Sequence, residues 1–299
     1  MILITGASGS IGSRLVDRLV NGDYLLRVSS RRPLELAARW PGIDTAELDV
    51  LRPATLAPAL DGITAAYYLV HSMEPATEGS FSERDAEGAE NFAEAARSAG
   101  VERVVYLGGL GEGSGALSEH LWSRQETGRI LAEHGPPTVE LRAAMVVSAD
   151  SASFRMLTDL VNRLPAMLVP TWVETPSQPI AIDDVLTYLA GSLAVDLTSH
   201  HTIVEIGGPD VLSYRDMIGV VARHRGRKPV IVGVPFLTPR LSSYWCGLTT
   251  SVPPSLARPL IEGMTTPMVV RDPTAAATLF PDVHPVRFAE ALRRAEAGE

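Results

Sequence analysis

Three glycines close to the amino terminus have the spacing of a phosphate-binding turn. An apolar segment precedes Gly6, Gly9 and Gly12, and a helix-forming segment follows them. In that order the first glycine permits a tight turn, the second lets the backbone approach phosphate oxygens, and the third lets the helix pack close to the strand. The helix N-terminus adds N–H groups and a positive dipole. The turn is therefore predicted to bind a dinucleotide pyrophosphate, with Ser8 and Ser10 either contacting phosphate or serving only the turn.

The end of the second predicted strand indicates which dinucleotide is bound. An acidic residue about 20 positions after the glycines accepts hydrogen bonds from an unphosphorylated ribose, but this chain has Ser30, Arg31 and Arg32 there. Two guanidinium groups beside a hydroxyl suit a 2′-phosphate, so NADP(H) is favoured over NAD(H). The alternative is a solvated arginine loop. Asp49 and Val50, after the third strand, are predicted to meet the adenine edge, unless Asp49 is only a turn residue.

Composition and charge are those of an ordinary globular chain. The 299 residues, 45% hydrophobic and 20% charged, suffice for one large α/β domain or for a domain with a small lobe. A formal net charge of -9, with no basic run among aromatic residues, argues against nucleic acid as a partner. The single cysteine, Cys246, and the lack of room for a signal peptide before the first strand favour the cytoplasm. No apolar stretch reaches the ~18 residues of a membrane span.

Short apolar runs alternate with helical stretches through the first half of the chain. The runs are Tyr24–Ser30, Thr45–Val50, Ala65–Val70, Val101–Leu107 and Val139–Val147. This alternation predicts an α/β fold with a Rossmann-type, doubly wound parallel sheet. Beyond about residue 150 prolines become denser, which predicts a small C-terminal lobe with strands at Ile180–Ile182 and Thr202–Ile206 and a helix at Ser213–His224. We expect an NADP-binding domain over 1–206, with room for a lobe insertion near 165–180, and a substrate lobe over 207–299.

Several segments carry family-specific motifs. They are Thr5–Gly12, Asn91–Ala96, Val104–Gly109, Pro179–Val185 and Glu205–Pro209. Together these segments resemble the extended and atypical branches of the short-chain dehydrogenase/reductase superfamily over about residues 1–225. Ala66–Met73 is similar to the atypical subgroup that contains NmrA-type proteins and an accessory subunit of respiratory complex I, and Thr238–Trp245 resembles it less specifically. The resemblance implies a Rossmann fold and a bound NAD(P)H cofactor.

The residues expected to bind this cofactor come from the turn, from the strand ends and from the helix after the fifth strand. They are Thr5, Gly6, Ser8, Gly9, Ser10, Ile11, Gly12, Ser30, Arg31, Arg32, Asp49, Val50, Val70, Gly108 and Arg124. The resemblance also implies that the loop with Asp150, Ser153 and Phe154 lies against the nicotinamide face, where Phe154 would pack.

Proton chemistry in that superfamily depends on a tyrosine and a lysine one helical turn apart after the fifth strand. Aligned on Ser123, this chain has His120 and Arg124 in those positions, still on one helical face. The serine that would polarise a carbonyl is also missing, because the fifth strand ends in Leu107–Leu110. The predicted site therefore departs from that of ordinary alcohol and ketone reductases.

His120 is the predicted proton-transfer residue, because the histidine pKa of ~6.5 places proton exchange near neutrality. Arg124 is expected to lower the pKa of His120, which suits a base, unless Glu119 or Glu126 offsets that charge. The alternative is that His120 is a surface histidine and that Arg124 only holds cofactor phosphate or ribose. His71, just past the fourth strand, is a further catalytic candidate, unless it only caps the strand end.

Other chemistries find little support in the sequence. Asp183 and Asp184 are predicted to cap a helix rather than to bind a metal. No Cys/His cluster has zinc spacing, and no nucleophile elbow is present. The apolar stretch Leu241–Ile261, which includes Tyr244 and Trp245, either packs in the core, lines a substrate pocket or forms a dimer face.

These features predict an NADP(H)-dependent oxidoreductase that acts on a small, apolar organic substrate. The substrate is expected in the cleft between the carboxyl edge of the sheet and the lobe, and a homodimer is one interpretation of the apolar stretch. The first alternative, implied by the NmrA-type resemblance, is a non-catalytic NADP(H) sensor or scaffold. The second is an isomerase or epimerase, although sugar-nucleotide epimerases of this superfamily generally need the tyrosine that His120 replaces.

Overall fold

A seven-stranded parallel sheet forms the centre of the computed structural model, which describes residues 1–71, 80–111, 118–234 and 249–298. The strands of the chain are β1 (Ile2–Ile4), β2 (Leu26–Ser30), β3 (Asp44–Glu47), β4 (Ala65–Tyr68), β5 (Arg103–Gly109), β6 (Thr138–Ala143), β7 (Val146–Val147), β8 (Ala166–Val169), β9 (Pro176–Ser177), β10 (Ile180–Ala181), β11 (His201–Ile206), β12 (Leu212–Ser213) and β13 (Val230–Gly233). The central sheet has the order β11-β6-β5-β4-β1-β2-β3, with every neighbouring pair parallel.

Helices cover both faces of this sheet. They are α1 (Ser10–Leu19), α2 (Pro33–Arg39), α3 (Leu56–Leu60), α4 (Phe81–Ser98), α5 (Glu119–His134), α6 (Ala152–Arg163), α7 (Ile182–Gly191), α8 (Tyr214–His224), α9 (Pro254–Gly263), α10 (Pro273–Leu279) and α11 (Phe288–Ala297). In β1, Ile2 and Ile4 join the hydrophobic cluster of Leu15 on α1, whereas Leu3 joins that of Phe92 on α4. Alternate side chains of one strand thus face opposite layers, which confirms the predicted Rossmann-type, doubly wound fold.

After β6 the chain leaves the central sheet, to which it returns only for β11, and it builds a second hydrophobic cluster from α6, α8, α9 and α11. In this lobe β7 pairs with β10, β8 with β13, and β9 with β12. The single predicted strand Val139–Val147 is therefore wrong: β6 ends at Ala143, and the last two residues form β7. Ile180–Ile182 is corrected in the same way, because Ile182 begins α7. Both segments are rich in buried apolar residues, so their apolar character could not reveal where the chain changes direction.

Element ends differ from the predictions where apolar residues are exposed or where a cap decides the boundary. Tyr24 and Leu25 lie before β2, and Leu25 is 75% exposed. The hydroxyl of Ser213 accepts a hydrogen bond from the Asp216 amide, and the Asp216 carboxylate accepts one from the Ser213 amide. This capping box makes Tyr214 the first residue of α8.

Some predicted features lie outside the described residues. They are Ser72 and Met73 of one family motif, the motif Thr238–Trp245, and the residues Tyr244, Trp245 and Cys246 of the apolar stretch. Among the helices that the structure describes, none combines the length and the hydropathy needed to cross a bilayer.

A buried ionic cluster holds α5 against the sheet. Glu140 on β6 is fully buried; Arg142 donates to its Oε1 over 2.7 Å, and Nε2 of His201 lies 2.7 Å from its Oε2. Gly128 of α5 packs directly on this carboxylate, because a Cβ at that position would lie 2.5 Å from Glu140 Cδ. The absence of a side chain at Gly128 therefore permits both the helix position and the ionic cluster.

The substitution Gly128→Ala is expected to lower the free energy of unfolding by about 2–3 kcal/mol, because the added methyl group displaces a buried carboxylate from its partners. The matched control is Gly219→Ala on α8, where the nearest neighbour is the end of the Arg223 side chain at 3.4 Å. That variant should be neutral or up to about 1 kcal/mol more stable. Urea unfolding measures both, and equal stabilities of the two variants would contradict the packing described.

Candidate functional site

The glycine-rich turn joins β1 to α1 through two close backbone contacts. Gly6 has φ +61°, and a Cβ there would lie 2.6 Å from the carbonyl oxygen of Leu69. A Cβ at Gly12 would lie 2.9 Å from the Gly6 carbonyl carbon. Gly9 precedes the helix in extended conformation. The first amides of a helix have no intrahelical acceptor, so this bare backbone cradle at the start of α1 suits a phosphate group.

Thr5 and Ser8 flank the cradle in different ways. Thr5 is fully buried; its Oγ1 donates to the Tyr67 carbonyl over 2.9 Å and accepts from the Leu69 amide over 3.0 Å. The side chain thus ties the end of β1 to the end of β4, which positions the turn from below. Ser8 is exposed at the tip of the turn.

Arg14, in the second turn of α1, connects the cradle to the lobe. Its Nη1 donates to Ser10 Oγ over 3.1 Å and to Asp150 Oδ2 over 2.6 Å. Asp150 also accepts a hydrogen bond from Ser148. Burial raises the pKa of Asp150, but the hydrogen bonds from Arg14, Ser148 and Ser10 outweigh it and lower that pKa to about 2. The sequence analysis did not identify Arg14 as a site residue, although a basic residue shortly after the glycines could have indicated one.

A cleft of about 460 Å³ opens above the cradle at the carboxyl edge of the sheet. The predicted site residues that line it are Gly6, Gly9, Ser10, Ile11, Gly12, His71, Gly108, His120 and Arg124. Ser153, Tyr214 and Met264 close it from the side of the lobe. The fold therefore brings the turn, the ends of β4 and β5 and the first turns of α5 into one space, as expected for ligand sites of open α/β sheets.

Two histidines meet in this cleft. The His71 and His120 ring centroids are 5.2 Å apart, with 51° between the ring planes. Nδ1 of His71 lies 2.8 Å from Oδ2 of Asp85, a buried carboxylate on α4 that also accepts a hydrogen bond from Ser123. Because Asp85 is an acceptor, it assigns the His71 proton to Nδ1 and leaves Nε2 as an acceptor. Within the described part of the chain, Nε2 of His71 and Nδ1 of His120 are buried without a hydrogen-bond partner.

Both imidazoles are held in the neutral form. Burial lowers the pKa of His71, although its hydrogen bond to Asp85 raises it. Burial, followed by the charges of His71 and Arg124, lowers the pKa of His120 to about 3. The carboxylate that acts against these effects is Asp85. Neither Glu119 nor Glu126, the two carboxylates considered from the sequence, is among the causes.

Glu119 and Glu126 have other partners. Glu119 accepts a hydrogen bond from Ser82 over 3.0 Å, and Glu126 pairs with Arg129 on the exposed side of α5. Neither glutamate is among the described residues that line the cleft. Asp85 and Ser123 were missed as site residues because their role depends on how α4 packs against α5, which no local pattern encodes.

Arg124 lies one helical turn after His120 and also lines the cleft. Its guanidinium donates to the Leu107 carbonyl and lies 5.1 Å from the centre of the Tyr106 ring. Tyr106 in turn donates its hydroxyl hydrogen to the Arg124 carbonyl over 2.9 Å. These contacts hold a positive charge at the end of β5, next to the two histidines.

The residues predicted to bind the adenosine end lie at the carboxyl ends of β2 and β3, outside the lining of this cleft. Arg31 and Arg32 are exposed, and Arg32 pairs with Glu35 over 2.9 Å. Asp49 Oδ1 accepts the Leu51 amide over 3.1 Å, so this carboxylate serves a turn. The other predicted positions at the strand ends differ in exposure. Ser30 is half-buried, and Val50 is buried, with its carbonyl accepting a hydrogen bond from the Asn91 side chain. Val70 packs at the edge of the core beside α4.

The remaining sequence predictions concern packing and metal binding. Phe154 is buried in the lobe cluster, while the neighbouring Ser153 faces the cleft. Asp183 and Asp184 lie in the first turn of α7, and Asp184 accepts a hydrogen bond from the Val286 amide over 2.9 Å. Across the ranges that the structure describes, no group of three or more His, Cys, Asp or Glu side chains could hold a metal ion.

Residues 6–146 match a family model described as NAD(P)H-binding. No curated protein sequence matches the chain significantly. Among solved structures, the NADPH-dependent quinone oxidoreductase of Escherichia coli, complexed with NADPH, is 19% identical, with a TM-score of 0.75, over 98% of this chain and 99% of that chain. A nucleoside-diphosphate-sugar epimerase of Staphylococcus aureus is 15% identical, with a TM-score of 0.75, over 98% and 99% of the two chains. The triphenylmethane reductase of a Citrobacter species, complexed with NADP(H), is 16% identical, with a TM-score of 0.74, over 98% and 99%.

At these identities the solved structures show a shared fold. The family match covers the whole glycine-rich turn together with His71, Gly108, His120 and Arg124. Cofactor class and fold agree with the expectation from the motifs. Residues 6–146 therefore match an NAD(P)H-binding family, and the chain has the fold that these solved structures share.

Proposed function

We propose that the protein is an NADP(H)-dependent oxidoreductase in which His120 and His71 exchange a proton with the substrate. The observation that carries this proposal is the position of two imidazoles in the same cleft as the glycine-rich turn. Cofactor binding and proton exchange are thus served by adjacent parts of one space. Two proteins with the same fold, the quinone oxidoreductase and the triphenylmethane reductase, carry NADPH or NADP(H), which supports the same reaction class.

The dinucleotide would lie across the carboxyl edge of the sheet, with its pyrophosphate over Gly9 and Ser10. Its 2′-phosphate would be held by Arg31 and Arg32, and its adenine would lie near Asp49. Charge-assisted bonds from guanidinium groups favour a phosphate dianion over a bare ribose hydroxyl, which supports NADP(H) as the cofactor. When bound, the nicotinamide supplies or accepts the hydride.

The neutral histidines define the proton chemistry. His71, held by Asp85, offers Nε2 as an acceptor, and His120 offers Nδ1. During oxidation one of these nitrogens takes the proton of a substrate hydroxyl; during reduction the same nitrogen first takes a proton from the solvent and then gives it to the oxygen. Negative charge that develops on that oxygen raises the imidazole pKa, so proton transfer becomes favourable as the reaction proceeds. The Arg124 charge stabilises the same oxygen.

The substrate would bind between the sheet and the lobe, as a small and apolar organic molecule. Ser153, Tyr214 and Met264 of the lobe share the cleft with His120, so a ligand there contacts both parts. The proposal divides the chain into an NADP-binding domain over 1–206 and a substrate lobe over 207–299, with an insertion near 165–180 that joins the lobe through the pairing of β8 with β13. We also propose that the protein is located in the cytoplasm, which its single cysteine supports, and that it forms a homodimer.

A non-catalytic NADP(H) sensor or scaffold is the second candidate. The observation that favours it is the replacement of the superfamily's tyrosine and lysine by His120 and Arg124, together with the donation of the Arg124 guanidinium to the Leu107 carbonyl. A sensor needs the cradle and the arginines but no proton exchange. The two functions therefore differ in what His120 must do.

Replacing Arg31 and Arg32 together by alanine is expected to weaken NADP(H) binding more than NAD(H) binding, by about 1–3 kcal/mol for each charge-assisted hydrogen bond to the 2′-phosphate that is removed. Calorimetry measures both affinities. The matched control is Arg223→Ala with Arg227→Ala, which removes the same charge from exposed positions of the lobe. Equal weakening of both cofactors would refute the 2′-phosphate assignment. If saturating NADPH fails to raise the melting temperature of the wild-type apoprotein, the proposed function itself is wrong.

The variant His120→Phe should lose at least about 100-fold in NADPH consumption with a panel of carbonyl compounds and enones, because it cannot exchange a proton. NADPH affinity should stay within about threefold, since phenylalanine keeps the ring volume. His284→Phe, at an exposed loop position, serves as the control and should retain full activity. Distinct affinities for NADP⁺ and NADPH without turnover of any compound would instead establish the sensor.

His120 is expected to remain neutral from pH 8 down to pH 5 in the folded protein, because burial and the neighbouring charges lower its pKa to about 3. Histidine-selective NMR against pH measures this directly. Arg124→Gln should raise the midpoint, since it removes a positive charge that opposes protonation. A wild-type midpoint between pH 6 and 7 would show that the imidazole is hydrated rather than buried.

A further inference from the structure

A second cavity, of about 310 Å³, lies inside the lobe between α6, β8 and α8. The described part of its wall is built mostly from aliphatic and thioether side chains, such as Met156, Leu160, Leu164, Met167 and Ile218. A cavity of this size lies at the lower end of the range for small-molecule sites. It therefore has room for a ligand with one or two rings.

This cavity adjoins the cofactor cleft, because Met145, Ser153, Tyr214 and Met264 line both spaces. A ligand in the cavity therefore lies next to the cleft that contains His120. The cavity is therefore placed to select the substrate of the proposed reaction, and this inference rests on that proposed function.

Two polar side-chain atoms of the cavity wall are buried without a hydrogen-bond partner among the described residues. They are Nε1 of Trp172 and Oη of Tyr214. The two rings pack edge to face, with centroids 6.2 Å apart. Tyr214 is 3% exposed, and Ser177, whose hydroxyl is close enough to lower the pKa of Tyr214, is fully buried. An unpaired buried donor is costly, so a wall that retains both donors favours a ligand that accepts a hydrogen bond.

The donors are neutral, and so is the rest of the described lining. Burial raises the pKa of the Tyr214 phenol, while the nearby Ser177 hydroxyl lowers it by less, so Tyr214 keeps its proton. The indole of Trp172 can only donate. Of the described residues that line the cavity, none is Asp, Glu, Lys, Arg or His. A charged ligand would lose its hydration here without gaining a counter-charge.

We propose that this cavity binds the ring-containing, apolar end of a neutral substrate through one acceptor oxygen, which Trp172 Nε1 and Tyr214 Oη hold and which is separate from the oxygen that exchanges a proton with the histidines. The apolar wall supplies affinity, and the two donors supply orientation, because their rings pack against each other in one part of the wall. Charged ligands such as nucleoside diphosphate sugars are rejected, since the described lining offers no cationic side chain. The proposed substrates are therefore a narrower class than the compounds that proteins of this fold act on.

The test compares three ligands of one shape by calorimetry, with NADP⁺ present and absent. They are 2-acetylnaphthalene, with one acceptor oxygen, 2-ethylnaphthalene, with none, and the anion 2-naphthoate. The ketone should bind about tenfold more tightly than either of the others, because only it satisfies the donors without carrying charge. Equal affinities for the ketone and the hydrocarbon, tighter binding of the anion, or no ketone binding up to its solubility would each overturn the proposal.

Variants assign the effect to the named donors. Tyr214→Phe and Trp172→Phe should each weaken ketone binding by about three- to tenfold and leave hydrocarbon binding within about twofold. The matched control is Tyr188→Phe on α7, whose ring packs against Phe280 away from the cavity. The melting temperature of each variant, measured against that of the wild type, confirms folding. Unchanged ketone affinity in both variants would contradict the assignment.

Failure of this inference and failure of the proposed function give different results. If the ketone binds with the expected selectivity but no assay shows NADPH consumption, the cavity assignment is supported and the proposed reductase function is wrong. If the protein turns over carbonyl compounds but binds ketone and hydrocarbon equally well, the reductase function is supported and the proposed role of Trp172 and Tyr214 as hydrogen-bond donors is wrong.

Discussion

The close approach of the first turn to the end of β4 is the constraint on which the rest of the site depends. Gly6 lies against the Leu69 carbonyl and Gly12 lies against Gly6, at distances that exclude a Cβ at either glycine. The Thr5 hydroxyl bonds to the end of β4 at the same level. Together these contacts set the position of His71, two residues after Leu69, relative to the phosphate cradle. Cofactor binding and the histidine pair thus share one rigid backbone junction.

Local patterns determine the features that sequence alone predicts well. The alternation of apolar runs and helical stretches predicted the doubly wound sheet, because each parallel strand buried on both faces must be apolar along its length. The glycine spacing located the cradle, since only glycine fits at two of its positions. The separation of His120 and Arg124 by four residues placed both on one face of α5, and both line the cleft.

Tertiary packing determines the features that the sequence could not reveal. Asp85 belongs to a helix rich in Asp and Glu, where a single buried carboxylate cannot be told from its solvated neighbours. Its importance comes from His71 and Ser123, which reach it from different elements. The break between β6 and β7 falls inside a buried apolar run, so hydropathy does not change where the chain passes from sheet to lobe. Trp172 and Tyr214 are likewise distant in sequence and meet only in the folded lobe.

The ion pair between Arg14 and Asp150 has a consequence for how the molecule matures on the ribosome. It joins residues separated by 136 positions, and it holds the side chain next to Ser10 in place. An emerging chain that stops short of Asp150 can form β1 and α1 but lacks the carboxylate that orients the guanidinium. Because domains condense as units during synthesis, this part of the turn reaches its final arrangement only once half of the polypeptide has been translated.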